Sequence, residues 1–164
     1  MSDYKQEAHD QLRLMRFAVG DLEFAMGITE IREVIPPTEI RRIPKAPGFV
    51  EGVLSLRGAI IPVVDLRKLF GTTSESEDFN IILRQIKSVT VGYMVDQVRH
   101  VVTLAKSKIL PRPPVVIQGL PKECIYGLFE QDEDTIILID LSKTMGSKQV
   151  GEIEKMMQSV PSAK

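Results

Sequence analysis

Residues 52–71, GVLSLRGAIIPVVDLRKLFG, read as strand, tight turn, strand and capped helical turn. Val53 to Leu56 and Ala59 to Val64 are rich in β-branched and apolar residues, and Arg57-Gly58 lies between them, so the segment predicts a hairpin. Asp65 can cap a short helix over Leu66 to Phe70 by accepting a hydrogen bond from a free helical N–H, and Gly71 can close that helix in a left-handed conformation. A shift of 75 positions lays 52–71 over 127–146. It matches Gly52 with Gly127, Ile61 with Ile136, Asp65 with Asp140, Leu66 with Leu141, Lys68 with Lys143 and Gly71 with Gly146. The chain therefore repeats a structural unit.

A second alignment extends the repeat toward the N-terminus. With a shift of 67, Leu22 to Ile35 fall over Val89 to Val102, and apolar positions meet apolar ones. Met15, Phe17 and Val19 alternate onto one face, Gly20-Asp21 supplies a turn, and Leu22, Phe24 and Met26 resume the alternation. Ile28, Ile31 and Ile35 are spaced for a brief helical turn entering an extended segment that Pro36-Pro37 ends. Each half thus predicts a hairpin, a bent crossing strand, a loop, a second hairpin and a short helix. Five strands of this kind can close as a small barrel, which removes most exposed edges.

The expected fold is mainly all-β: two intertwined five-stranded SH3-like barrel subdomains with short helices and a C-terminal helix. Residues 12–148 form one domain, with subdomains near 12–71 and 79–146, strand exchange between them being allowed. The polar run Thr72 to Asp78 is the connector and residues 1–11 a flexible tail. Residues 149–164 carry Ile153, Met156, Met157 and Val160 at helical spacing, expected to cover the core.

Composition excludes several classes of function. The net charge of -1 and aromatic content of 5%, without Trp, offer neither a field for a phosphate backbone nor platforms for bases, so nucleic acid is not expected as a partner. Cys124 lies in the apolar run Cys124-Ile125-Tyr126 and reads as a buried thiol; alone, it forms no intrachain disulfide. His9 and His100 stand apart without metal-ligand spacing, so neither metal nor other cofactor is expected. Phosphate-loop, dinucleotide-binding and hydrolase motifs are absent, and the chain reads as a non-enzyme. The N-terminus MSDYKQEAHDQ lacks the apolar core of a secretory signal, and no segment approaches a bilayer span; a cytoplasmic protein without direct membrane insertion is expected.

Where the halves differ, function is sought. Arg57-Gly58 aligns with Asp132-Glu133, a reversal of charge at the same turn. Glu33 interrupts an apolar run and is expected to pair with an arginine. Ile31 and Val98 are equivalent by the repeat and are expected to face one another across a seam between lobes, lining a groove suited to an amphipathic helix.

The segment from Gly52 to Arg67, with its Gly-Val, Leu-Arg-Gly turn, Pro62-bearing strand and Asp65-Leu66, resembles the signature of CheW-like domains. The resemblance continues through Ile31-Arg32-Glu33-Val34-Ile35, Pro47-Gly48-Phe49-Val50 and Val95-Asp96-Gln97-Val98, and covers nearly all but the tails. It implies a non-catalytic chemotaxis adaptor that couples the cytoplasmic tip of chemoreceptors to the regulatory domain of the histidine kinase CheA, with further CheW copies as ring partners. It also implies recruitment to membrane-bound receptor arrays through those partners, as a stand-alone adaptor.

By position, the resemblance assigns receptor binding to Ile31, Arg57, Val98 and Val101, and a kinase-binding or signalling surface to Glu33, Glu51, Arg57 and Gly58. Two departures stand out: Ser55 replaces the common Asn of the turn, and Glu51 occupies a place where a basic residue is frequent. A surface-motility pathway with a CheA-like kinase is the nearest alternative. A small-barrel ligand or oligonucleotide binder would need aromatic platforms or a basic stripe, and a hydrolase built on Cys124 ranks last.

Overall fold

The computed structural model describes residues 10–72, 77–112 and 120–160. Residues 1–9 of the expected tail over 1–11, the centre of the polar connector and the last four residues lie outside that range, and Gln11 already belongs to a strand.

Ten strands form two five-stranded sheets, both drawn from the two halves of the chain. The strands are β1 (Gln11–Val19), β2 (Leu22–Gly27), β3 (Glu33–Ile35), β4 (Val50–Leu56), β5 (Ala59–Asp65), β6 (Asn80–Ile86), β7 (Val89–Val95), β8 (Gln97–Ala105), β9 (Ile125–Gln131) and β10 (Asp134–Ile139). One sheet runs β8-β1-β2-β10-β9 and the other β3-β6-β7-β5-β4. Each thus joins the leading hairpin of one half to the crossing strand and trailing hairpin of the other. The joints are parallel pairings, β2 with β10 and β5 with β7, whereas the other strand pairs are antiparallel. This exchange is what intertwines the lobes.

Period-two patterning sorts side chains between two kinds of core. On β1, Met15, Phe17 and Val19 enter a central cluster shared by both sheets, while Leu14 enters a cluster confined to its own sheet with Phe129, Ile136 and Leu138. The other sheet has its own cluster, including Ile35, Leu54, Ile61, Val63, Ile81 and Met94. Within the central cluster Phe17 stacks on Phe24, and Phe70 meets Phe24 at a tilt of 42°, each pair at a centroid distance of 5.5 Å. Tyr93 is buried there too, and its hydroxyl donates to the Leu141 carbonyl at 3.2 Å.

Asp65 caps helix α1 (Leu66–Leu69), accepting from the Arg67 N–H at 2.9 Å, and Gly71 follows at φ 72°. Asp140 caps the twin 3-10 turn Leu141–Thr144 in the same way, through the Ser142 N–H at 3.0 Å. Helix α2 (Ser147–Ser159) begins two residues before the expected segment 149–164, and Val150 joins Ile153 and Met156 in covering the central cluster. Among the described residues, no helix is long and apolar enough to cross a membrane.

Candidate partner-binding surfaces

Leu56 pairs with Ala59, leaving Arg57 and Gly58 as a two-residue hairpin loop with φ of 49° and 83°. Positive φ at both positions is the type I′ geometry whose twist matches the flanking strands. Gly58 eases this backbone conformation rather than making room for a neighbour, since nothing lies within 4 Å of a β-carbon built there. The twin turn Asp132-Glu133 adopts the same form, with φ of 52° and 68°.

From this tip the Arg57 guanidinium reaches Glu33 on β3, donating from Nη1 to Oε2 at 2.9 Å and from Nη2 to Oε1 at 2.8 Å. Because β3 and β4 are opposite edges of their sheet, this fork links the two edges and shows how far the sheet curls. The Arg57 hydrogen bond, the largest cause, holds the Glu33 carboxyl below its usual range and raises the guanidinium in turn. The Arg57 side chain is 72% exposed and that of Glu33 31%, so the pair presents an oriented charge rather than a buried anchor. Arg32, Glu33, Arg57, Ile60, Val89 and Met157 line a cleft of about 390 Å³ beside it.

The twin end of the other lobe solves the same problem with inverted charges. There Arg99 of β8 pairs with Glu23 at 2.8 Å, and the buried Arg16 of β1 lies 3.4 Å from Asp134 and 3.8 Å from Asp132. The chain of charges again runs from an edge strand to a hairpin tip.

Glu51 belongs elsewhere. It sits at the bulge between Val50 and Gly52, pairs with Lys68 at 2.6 Å, and lies about 20 Å from the Arg57 tip at the strand rise per residue. Glu33, Arg57 and Gly58 are therefore one patch and Glu51 another. Ile31 follows the 3-10 turn Ile28–Glu30, and Val98, the second residue of β8, stands opposite Phe17; both are half-buried against the central cluster. Val101 stands farther along β8 opposite Met15 and is 46% exposed. Ile31, Val98 and Val101 thus occupy the two segments that cross between sheets.

Cys124 is buried, as expected, and burial foremost pushes its thiol up to about 12, which leaves no thiolate at neutral pH. Among the described residues no group of three or more His, Cys, Asp or Glu side chains is arranged to hold a metal. Sequence reasoning missed Arg16, Arg67 and Arg84. Each lies mostly buried in or beside an apolar strand, and for Arg16 and Arg84 a charge at an inward-facing strand position was the available signal.

The CheW-like domain family matches residues 13–149. The chemotaxis protein CheW of Thermotoga maritima is 34% identical, over 89% of this chain and 95% of that protein. The CheW of Klebsiella aerogenes is 31% identical over 87% of each. The scaffolding protein TtCheW from Thermoanaerobacter tengcongensis, known from its crystal structure, superposes with a TM-score of 0.74 at 31% identity, covering 84% of this chain and 90% of that one. With the family match over residues 13–149, relatives more than 30% identical across most of its length and the shared double-lobed fold, this chain belongs to the CheW family of non-enzymatic chemotaxis scaffold proteins.

Proposed function

We propose that this protein couples chemoreceptors to the histidine kinase CheA and supports assembly of receptor arrays. Its working unit is the paired lobes of residues 12–148, and it reaches the membrane through its partners. A receptor tip, an amphipathic helical hairpin, docks by its apolar face on Ile31, Val98 and Val101, with Arg57 at the margin. The CheA regulatory domain is met by Glu33, Arg57 and Gly58 at the hairpin tip and by Glu51 at the other end of the same hairpin. Further copies of the chain extend the contact into rings.

The observation that carries this reading is the Arg57–Glu33 fork. It spends a fully formed bidentate pair at an exposed turn, where it does little for stability but fixes the direction of a charge. An adaptor needs such geometry, because it transmits a signal by holding two partners in one orientation.

The test is capture of a purified receptor signalling tip and a CheA regulatory domain, separately and together. Binding to each alone and a three-component complex are expected. Failure to bind either partner would overturn the coupling role.

A further inference from the structure

Two arginines hold the segments that cross between the sheets, and they do so in parallel ways. Arg67 grips Asp65, the cap at the end of β5, through Nε and Nη2 at 3.1 Å each and lies 3.7 Å from Asp96, two residues before Val98. Arg84 lies 3.4 Å from Asp140, the equivalent cap at the end of β10, and 3.3 Å from Glu30, the residue before Ile31. Each crossing segment is thereby clamped, acid to arginine to acid, to a cap aspartate.

The two clamps differ in quality. Arg67 makes directional hydrogen bonds, whereas Arg84 arrives from β6 with its Nε and Nη1 buried and without hydrogen-bond partners. Its contact with Glu30 is one of charge and lacks hydrogen-bond geometry. A guanidinium held this way recovers its desolvation cost poorly, and an apolar side chain of similar volume would serve the fold as well. Neither acid relies on it for hydrogen bonds: Glu30 accepts from the Gly27 N–H, and Asp140 accepts from Ser142 and from the Tyr126 hydroxyl, with the Arg84 charge the smallest of its supports. Stability therefore does not account for Arg84.

We propose that Arg84 is a positioning residue, tying the Ile31 segment to Asp140 of the other sheet and so fixing where Ile31 stands for a receptor tip. The inference rests on the reading of Ile31 as receptor-facing. Arg84 contacts no partner itself.

Arg84→Leu and Glu30→Gln are compared with Ile31→Asp for binding of a receptor signalling tip, binding of the CheA regulatory domain, and Tm. The expected result for Arg84→Leu is a loss of receptor-tip affinity of roughly 3- to 10-fold, within the range over which packed networks modulate a neighbouring site. CheA-domain affinity stays unchanged and Tm is equal or higher. Glu30→Gln, which leaves Arg84 with Asp140, reproduces the receptor-specific loss, and the double variant loses less than the product of the two.

Wild-type receptor binding in Arg84→Leu alongside impaired Ile31→Asp would overturn the inference and leave the receptor-facing reading intact. Unimpaired Ile31→Asp would remove that reading and the inference with it. A lower Tm with equal loss of both partners would make Arg84 merely structural. Should Arg84→Leu fail to fold, unchanged receptor binding by Glu30→Gln would be sufficient to reject the proposal.

Discussion

Gly52 and Gly127, separated by 75 positions, press their bare α-carbons against the same obstacle, a backbone carbonyl of the strand-like segment crossing them: Arg41 for Gly52 and Leu110 for Gly127. The bridges Arg41–Val53 and Leu110–Leu128 lie next to them, so each glycine admits a chain that covers the edge of its sheet. A β-carbon on Gly127 would stand 2.5 Å from the Leu110 oxygen, and backbone cannot yield as a side-chain tip does. Gly127→Ala is expected to cost about 1–3 kcal/mol, as overpacking of a tight site does. Chemical denaturation reads this directly; a cost near zero, or a gain in stability, would contradict the close approach.

Arg57→Ala removes the fork without touching the core. The Tm is expected to stay near that of the wild type, while three-component assembly and kinase control weaken. Glu33→Gln is the companion, since it leaves Arg57 in place but unsteered. Normal assembly and regulation in both variants would remove the role proposed for this pair.

Ile31→Asp is expected to impair receptor-tip binding more than CheA-domain binding, because Ile31 lies on a crossing segment, away from the hairpin tip and from Glu51, where kinase contact is proposed. Ile31 is only half-buried, so the variant should fold. Equal loss of both partners, or loss of folding measured by circular dichroism, would reassign Ile31 to the core.

The hairpins were legible because alternation and turn chemistry act locally. Gly20-Asp21, Arg57-Gly58 and Asp132-Glu133 all turn where their residues demand, and Pro36-Pro37 ends β3 at Ile35. The twin Asp65 and Asp140 caps were likewise readable from spacing. What the residues do not encode is the choice of partner for β2 and β5. An apolar alternation suits a strand of either half, so the exchange of hairpins came from the family resemblance and not from periodicity. Helix α2 was legible from its apolar spacing, and its start at Ser147 falls two residues ahead of the expected 149. An arginine partner for Glu33 was foreseeable, and the curl that brings opposite sheet edges together is what delivers Arg57 to it. Arg84 was visible as a charge between the inward-facing Ile82 and Ile86, yet its partners Glu30 and Asp140 are distant in sequence.

Tyr93 and Thr144 share one acceptor. The Tyr93 hydroxyl donates to the Leu141 carbonyl at 3.2 Å and the Thr144 hydroxyl to the same oxygen at 2.6 Å. Losing either leaves the buried carbonyl with the other, so Tyr93→Phe and Thr144→Val should each cost about 1 kcal/mol. The double variant orphans the carbonyl and should cost more than the sum. Additive costs in a denaturation cycle would show that the two bonds do not compensate each other.

Acid should weaken the fold partly through Asp140. Burial raises its carboxyl, but hydrogen bonds from the Ser142 and Tyr126 hydroxyls and the Ser142 N–H, with the Arg84 charge, outweigh burial and hold it below the usual range. A carboxyl depressed in the folded state binds its proton more readily when unfolded. Its stabilising contribution is therefore fully present above the unfolded value of about 4, and it is lost as pH falls through the lower folded value. Asp140→Asn removes this titration while keeping a side-chain acceptor for the cap. The Tm difference between wild type and Asp140→Asn is expected to be constant from pH 7 to about 5 and to narrow below about 4. A gap that keeps its full size down to pH 3, or one that widens there, would show that Asp140 is not stabilised in its charged form, and its part in fixing the seam beside Arg84 would need another explanation.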